Sequence, residues 1–293
     1  MSTYAVPSEI VNAVSQGHQT LGEIITWGAG GDTTYQEIKD ALAKTGMDEK
    51  FVRELCPRYA FSRACKELEQ NRVIRLIEEV DDILRYQFTK ESRLTANNPM
   101  LTYDLEALLD VNKKTGDVVC ADLGLQQIAE RLIKDKTTAR TASDVTSIVQ
   151  RMFAAHADLF PVREKGGCYF VPKRYAEFVN TVEVFLISLG GHINRFPILS
   201  GNPRGNESVK TVIVQGLVTM VEEHRKAIER MGVDTRESTY ERRYEEIEYT
   251  RAKAEGYALF LQDQVDAVYQ ALDLAKEELT AAKLRLVEAA LAS

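Results

Sequence analysis

The stretch "RTASDVTSIVQRMFAAHADLFPVREKGGCYFVPKR", residues 140–174, joins a helical pattern to a hairpin pattern and so decides the fold class. One apolar helical face is formed by residues at the i, i+3, i+4 spacing, namely Val145, Ile148, Val149, Met152 and Phe153. Thr141, with Asp144 three residues later, predicts a capping box at the start of this helix. Apolar residues then alternate on both sides of Gly166 and Gly167, which tolerate the positive φ of a tight turn. The sequence therefore predicts a helix followed by a β-hairpin.

A second amphipathic helix precedes this unit in "DLGLQQIAERLIKDK", residues 122–136, with Asp122 as the predicted N-cap. The order helix, polar turn, helix and hairpin resembles a winged-helix domain. The resemblance covers roughly residues 117–175 and depends on element order and periodicity, not on a signature motif.

The resemblance implies that the second helix enters the major groove of DNA and that the hairpin, as a wing, contacts phosphates. Carried over by position, the helix residues that would face DNA are Thr146, Ser147, Gln150 and Arg151, and the wing residues are Arg163, Lys165, Lys173 and Arg174. Residues 112–174 hold 11 Lys and Arg against 7 Asp and Glu, a local charge of +4. The alternative left open is a winged-helix module that binds other proteins.

The N-terminal third predicts a second copy over about residues 33–90. Thr34 and Glu37 form a capping-box pattern before an apolar helical face, and a second helix carries Arg63 and Lys66 outward as further nucleic-acid contacts. The following hairpin has an acidic tip around Glu79, which would repel phosphate. We interpret this tip as a solvated turn and predict no metal site.

The C-terminal region has the strongest periodicity in the chain. From Tyr240 onward, apolar residues recur in steps of four and three, which is typical of a coiled coil. This pattern predicts one helix from about 238 to 292, roughly 80 Å long, in an antiparallel hairpin with a shorter helix. The seam residues assigned to self-association are Leu261, Val265, Val268, Leu272, Leu279 and Leu286. The shorter helix covers under half of this seam, so we expect a second copy to cover the rest. The alternative left open is a bundle formed entirely within one chain.

Composition limits the function classes. The chain has 293 residues and a formal net charge of −7, which disfavours a protein that coats nucleic acid nonspecifically. The four cysteines form no Cys-x-x-Cys pair, so we predict reduced thiols and no cofactor. The first residues lack the features of a signal peptide, and no apolar run approaches about 20 residues. We therefore expect a cytoplasmic protein with no membrane partner.

Together these patterns predict an α+β protein with winged-helix-like units followed by a long helical hairpin. The expected domains are residues 1–32, 33–122, 123–199 and 200–293. No catalytic motif is present, so we expect a non-enzymatic, oligomeric, DNA-associated protein. The alternative is a structural or adaptor protein whose units bind other proteins. A third hypothesis is an enzyme whose site is assembled from distant residues.

Overall fold

The computed structural model describes residues 19–69, 72–95, 98–163, 166–232 and 235–292. The fold class is α+β, as the sequence predicts. The described chain forms two compact units. The first, here called the ribbon unit, holds residues 27–156 and 179–193, and the second, the bundle unit, holds residues 19–26, 157–178 and 194–292.

The strands, in chain order, are β1 (Thr20–Gly28), β2 (Thr33–Thr34), β3 (Arg72–Val80), β4 (Ile83–Thr95), β5 (Asn98–Asn112), β6 (Val118–Cys120), β7 (Ala139–Arg140), β8 (Phe160–Pro161), β9 (Tyr169–Pro172) and β10 (His192–Leu199). The α-helices are α1 (Tyr35–Lys44), α2 (Pro57–Leu68), α3 (Leu123–Thr138), α4 (Ala142–His156), α5 (Ala176–Ser188), α6 (Pro203–Glu229), α7 (Glu237–Glu255), α8 (Ala258–Leu261) and α9 (Asp266–Ala292). Short 3₁₀ helices occupy Glu49–Phe51, Lys173–Tyr175 and Gln262–Val265.

Side-chain caps begin three helices of the ribbon unit, as predicted. Before α1, the backbone N–H of Glu37 donates to the Thr34 hydroxyl at 3.2 Å, and the Thr34 N–H donates to the Glu37 carboxylate at 2.8 Å. Thr141 and Asp144 make the same reciprocal pair before α4. The Asp122 carboxylate accepts from the N–H at residue 125 and begins α3. These caps satisfy N–H groups that the first turn of a helix leaves without partners.

A four-stranded sheet of order β3-β4-β5-β6 packs against α2 and α3 in the ribbon unit. Its β4–β5 register pairs Phe88 with Ala107 and Thr89 with Leu105, so Glu106 is an extra residue in a β-bulge. The bulge reverses the alternation of side chains along β5. Residues that would otherwise face the core, Leu105 among them, therefore lie on the exposed face of the sheet.

The bundle unit combines a second sheet, of order β10-β1-β9-β8, with helices α6 to α9. Its β8–β9 hairpin turns at Gly166 and Gly167, whose φ angles of 65° and 77° confirm the predicted turn chemistry. The hairpin predicted to be the wing of α4 therefore belongs to the sheet of the bundle unit, whereas α4 lies in the ribbon unit. The predicted domain of residues 123–199 is divided in the same way.

The prediction of one continuous helix over residues 238–292 was wrong. Helix α7 ends at Glu255, Gly256 follows, and Gln262 has a positive φ of 56° before α9 begins. Helix α9 folds back along α7, as the ion pair between Arg251 and Asp273 shows, and packs beside α6. The three long helices form a bundle within one chain.

The expected uncovered seam is consequently covered inside this bundle. The buried members are Leu261, Val265, Val268, Leu272 and Leu279, and Leu286 is half-buried against the same core. Because these side chains already contact α6 and α7, the seam cannot serve as the subunit interface that the periodicity suggested.

Candidate functional site

A cleft of about 660 Å³ lies in the ribbon unit between helix α4 and the segment that leads into α2. We call it the α4 cleft. Its lining consists of Val52, Arg53, Glu54, Leu55 and Tyr59 on one side and Arg140, Asp144, Ser147, Ile148, Gln150, Arg151 and Ala154 on the other. Three of the residues predicted to contact nucleic acid, Ser147, Gln150 and Arg151, are therefore brought together with side chains from the N-terminal third.

The segment wall of the cleft is held by local structure. Asp48 caps the 3₁₀ helix by accepting from the Lys50 N–H at 2.8 Å, and the side chains of Phe51 and Val52 are buried. Arg53 follows these anchors directly and is exposed. Pro57 then begins α2 at a position where its missing N–H removes no hydrogen bond, which places Tyr59 in the first turn. The Tyr59 side chain is 61% exposed, so its ring is available to a ligand.

Arg140 fixes the floor of the cleft. It is only 3% exposed, and its guanidinium donates at 2.9 Å to the carbonyl oxygens of Thr137, Ala139 and Arg53. Burial lowers the pKa of this guanidinium. The bond to the Arg53 carbonyl ties the segment wall to the start of α4, so Arg140 holds the two walls at a fixed separation.

An ion pair neutralises the acidic side chain on the α4 wall. Arg63 donates two hydrogen bonds to the Asp144 carboxylate, at 2.9 and 2.6 Å. Burial alone would raise the pKa of Asp144, but the hydrogen bonds from Arg63 and Thr141 outweigh it and the pKa is lowered. With Asp144 compensated, Arg53, Arg140 and Arg151 face only Glu54 within the lining, so the cleft is cationic inside a chain of net charge −7.

The remaining predicted contacts lie elsewhere. Thr146 is half-buried on α4 outside the lining, and Lys66 is exposed on α2. Arg163, Lys173 and Arg174 belong to the bundle unit, and Lys165 lies outside the described residues. Arg174 donates to Asp158 at 2.7 Å, which commits its charge within that unit.

Sequence reasoning missed Arg53, Tyr59 and Arg140. Arg53 stands in a short connection and Arg140 in the two-residue strand β7, and neither segment is long enough for periodicity to distinguish its residues. A signal for Tyr59 did exist, because it lies at the i, i+3, i+7 spacing with Ser62 and Lys66 on the polar face of α2. Its place on that polar face indicates that the aromatic side chain is exposed, as the structure shows.

Carboxylates at and beside the predicted acidic turn between β3 and β4 form ion pairs with basic side chains. Glu78 pairs with Arg85, Glu79 with Arg58 and Lys113, and Asp82 with Lys114. Within the described residues, no group of three or more His, Cys, Asp or Glu side chains is placed to hold a metal ion.

None of the helices in the described ranges combines the length and apolar character that crossing a bilayer requires.

The bundle unit contains a second polar cluster, around Asp158. This buried carboxylate accepts from Tyr175 at 2.8 Å, from Arg174 and from the Tyr257 hydroxyl, and forms an ion pair with Lys253 at 2.7 Å. Burial and then the bond to Asp158 raise the pKa of the Tyr257 hydroxyl. Each charge in the cluster has a protein partner. We therefore interpret the cluster as a structural one that holds together the start of β8, the 3₁₀ turn and α7.

The chain belongs to a protein family described as "Family of unknown function (DUF6744)", whose model matches residues 20–290. The comparison with curated proteins gives no match, and neither does the comparison with solved structures. Family membership therefore assigns no activity to this chain.

Proposed function

We propose that this protein is a non-enzymatic DNA-binding protein and that the α4 cleft receives a single strand. The observation that carries the proposal is the convergence of Ser147, Gln150 and Arg151 on one cationic cleft with Arg53 and Tyr59. Arginines supply phosphate contacts, and an exposed tyrosine supplies a face on which a base can stack. Glutamine and serine add hydrogen bonds to base edges or sugars.

The concave shape favours a single strand over a duplex. A helix that reads a major groove has to protrude, so that its side chains reach the base edges. Helix α4 instead faces the segment wall across the cleft, and Arg140 ties that wall to the helix start. We therefore expect one strand with unstacked bases to enter the cleft, and a duplex to be too wide for it.

The test is fluorescence anisotropy with a labelled oligothymidylate of about 20 nucleotides and a duplex of equal length, at ~50 and ~200 mM salt. We expect salt-dependent binding that is tighter for the single strand. Tyr59→Ala should weaken binding about 5- to 150-fold, since one stacked base contributes about 1–3 kcal/mol. Replacing Arg53 and Arg151 together with Gln should reduce the salt slope by about 1.4, from two lost phosphate contacts on a single strand.

Matched controls are available on the sheet of the same unit. Arg75→Gln on β3 and Tyr103→Ala on β5 alter an exposed arginine and a tyrosine that is 55% exposed, both outside the cleft. Both variants should bind like the wild type. Absence of binding at the lower salt, tighter binding of the duplex, or equal losses in the cleft and control variants would each overturn the proposal.

One observation favours the adaptor function as a second candidate. The β-bulge in β5 brings three large apolar side chains to the exposed face of the ribbon-unit sheet. They are Tyr103, Leu105 and Leu108, and Leu101 lies next to them. A contiguous apolar strip of this kind marks protein contact surfaces. A folded protein that binds neither oligonucleotide at low salt would support this function over DNA binding.

A further inference from the structure

The bundle unit carries an apolar groove that its own core does not fill. The groove, of about 620 Å³, lies between α7 and the C-terminal half of α9. Apolar side chains from both helices line it, namely Tyr240, Tyr244, Leu279, Leu284 and Val287. Tyr244, Leu284 and Val287 are 50%, 58% and 47% exposed, which is unusual for three neighbouring large apolar side chains.

The groove begins beyond two ion pairs that join the two helices near the turn. Closer to the turn, Lys276 pairs with Glu248 and Arg251 pairs with Asp273, and these pairs bridge α7 and α9. Beyond Leu279, apolar side chains line the groove between the charged residues of its walls, and one further ion pair, between Lys283 and Glu237, bridges the two helices among the described residues. Water therefore contacts apolar surface there, at about 25 cal/mol for each Å² that could be buried.

We propose that this groove is the self-association surface of the protein and that its occupant is the same face of a second copy. The patch carries both a protrusion and a recess, because Leu284 projects from α9 beside the groove floor formed by Tyr240 and Leu279. In the proposed dimer, a two-fold axis parallel to the helices would seat each Leu284 in the groove of the other copy. Such mutual fit is the requirement of an isologous dimer.

Charge on the two walls is complementary under the same axis. The α7 wall carries Glu241 and Glu245, and the α9 wall carries Lys283. A two-fold axis parallel to the helices places the α9 wall of one copy on the α7 wall of the other. Lys283 keeps a side chain that is 47% exposed in its ion pair with Glu237, so it can also meet the carboxylates of the other copy. The same carboxylates repel nucleic acid, which excludes DNA as the occupant.

The size of the patch sets the strength of the dimer. Residues 279–287 of α9 extend about 13 Å, and two adjacent helices are about 20 Å wide, so the flat footprint is roughly 260 Å². The uneven surface of the side chains raises the accessible area to roughly 400 Å² for each copy. A total near 800 Å² falls in the class of weak, transient interfaces. We therefore expect a dimer that dissociates in the micromolar range. This inference goes beyond DNA binding and does not depend on it.

Sedimentation equilibrium over ~1–100 μM protein at ~150 mM salt tests the proposal, since that salt screens the repulsion between two acidic chains. The wild type should pass from monomer to dimer across this range. Leu284→Asp should raise the dissociation constant at least about tenfold, because it places a charge in the apolar contact. Leu259→Asp is the matched control, since Leu259 is 99% exposed on α8 and should not affect the equilibrium.

A charge exchange tests the two-fold arrangement. Lys283→Glu alone and the double variant Glu241→Lys, Glu245→Lys alone should each dimerise more weakly than the wild type. An equimolar mixture of the two should form a mixed dimer, because opposite charges again face each other. Circular dichroism of each variant checks that the bundle stays folded. A monomeric wild type at every concentration, an unaffected Leu284→Asp variant, or a mixture no more dimeric than its components would each overturn the proposal.

Discussion

Asp158 offers the sharpest stability prediction, because a single carboxylate partners several buried donors. Its side chain is 5% exposed, and that of Lys253, 2.7 Å away, is 11% exposed. The Tyr257 hydroxyl donates to the same carboxylate from a buried position. Asp158→Ala therefore leaves an ammonium and a hydroxyl buried without their acceptor, and breaking a buried pair in this way costs about 3–5 kcal/mol.

Urea unfolding measures this loss as a shift of the transition midpoint at constant slope. The control is Glu237→Ala, whose pair with Lys283 is exposed and should contribute less than about 1 kcal/mol. Adding Lys253→Met to Asp158→Ala removes the uncompensated ammonium and should restore part of the lost stability. A loss below about 1 kcal/mol for Asp158→Ala would refute the reasoning, as would a double variant less stable than the single one.

The pH dependence of the same residue has a definite sign. Burial alone would raise the pKa of Asp158, but the bonds from Lys253, Tyr257 and Arg174 outweigh it, and the pKa is lowered. A lowered pKa in the folded state stabilises the protein above the ordinary carboxyl pKa of about 3.9, and that contribution is lost as the pH falls through the folded value. The stability difference between wild type and Asp158→Ala should be constant from about pH 5 to 8 and shrink below about pH 4.

Two further predictions concern packing and capping. Gly216→Ala would bring a methyl group to 2.7 Å from the Phe160 ring and should destabilise the bundle unit by about 1–3 kcal/mol in thermal unfolding. Its control, Gly205→Ala on the same helix, meets nothing closer than 3.6 Å and should be neutral or stabilising. Equal melting temperatures for the two variants would contradict this packing argument. Thr34→Ala removes the reciprocal cap with Glu37 and should lower the free energy of unfolding by about 1 kcal/mol. The control is Thr219→Ala, which changes an exposed threonine in the middle of a helix. An unchanged melting temperature for Thr34→Ala would show that the cap contributes nothing.

Local features of this protein are determined by the sequence itself. The capping pairs Thr34–Glu37 and Thr141–Asp144, the N-cap Asp122 and the Gly166–Gly167 turn all form as their residue types predict. Each depends on groups within a few residues of one another, so short-range geometry and hydrogen bonding are sufficient to specify it. The α+β fold class follows, because it depends only on which elements form.

The predicted seam in α9 shows where local pattern is insufficient. Its heptad spacing predicts which side chains are buried. Two arrangements fit that spacing equally well: one long helix packed against a second copy, and a helix that is interrupted at Gly256 and folds back on its own chain. The choice depends on whether a partner helix in the same chain can reach the seam, which is a property of the whole chain.

The α4 cleft also exists only in the tertiary structure. Arg53 and Arg140 are separated by most of the ribbon unit in sequence, yet the hydrogen bond from the Arg140 guanidinium to the Arg53 carbonyl joins them. Likewise, the sequence marked the polar face of α4 but not the wall opposite it, and it marked Arg63 as a cation but not its pairing with Asp144. Periodicity reports which face of an element is polar, whereas the elements that meet that face are fixed by long-range packing and by the burial of charges that must find partners.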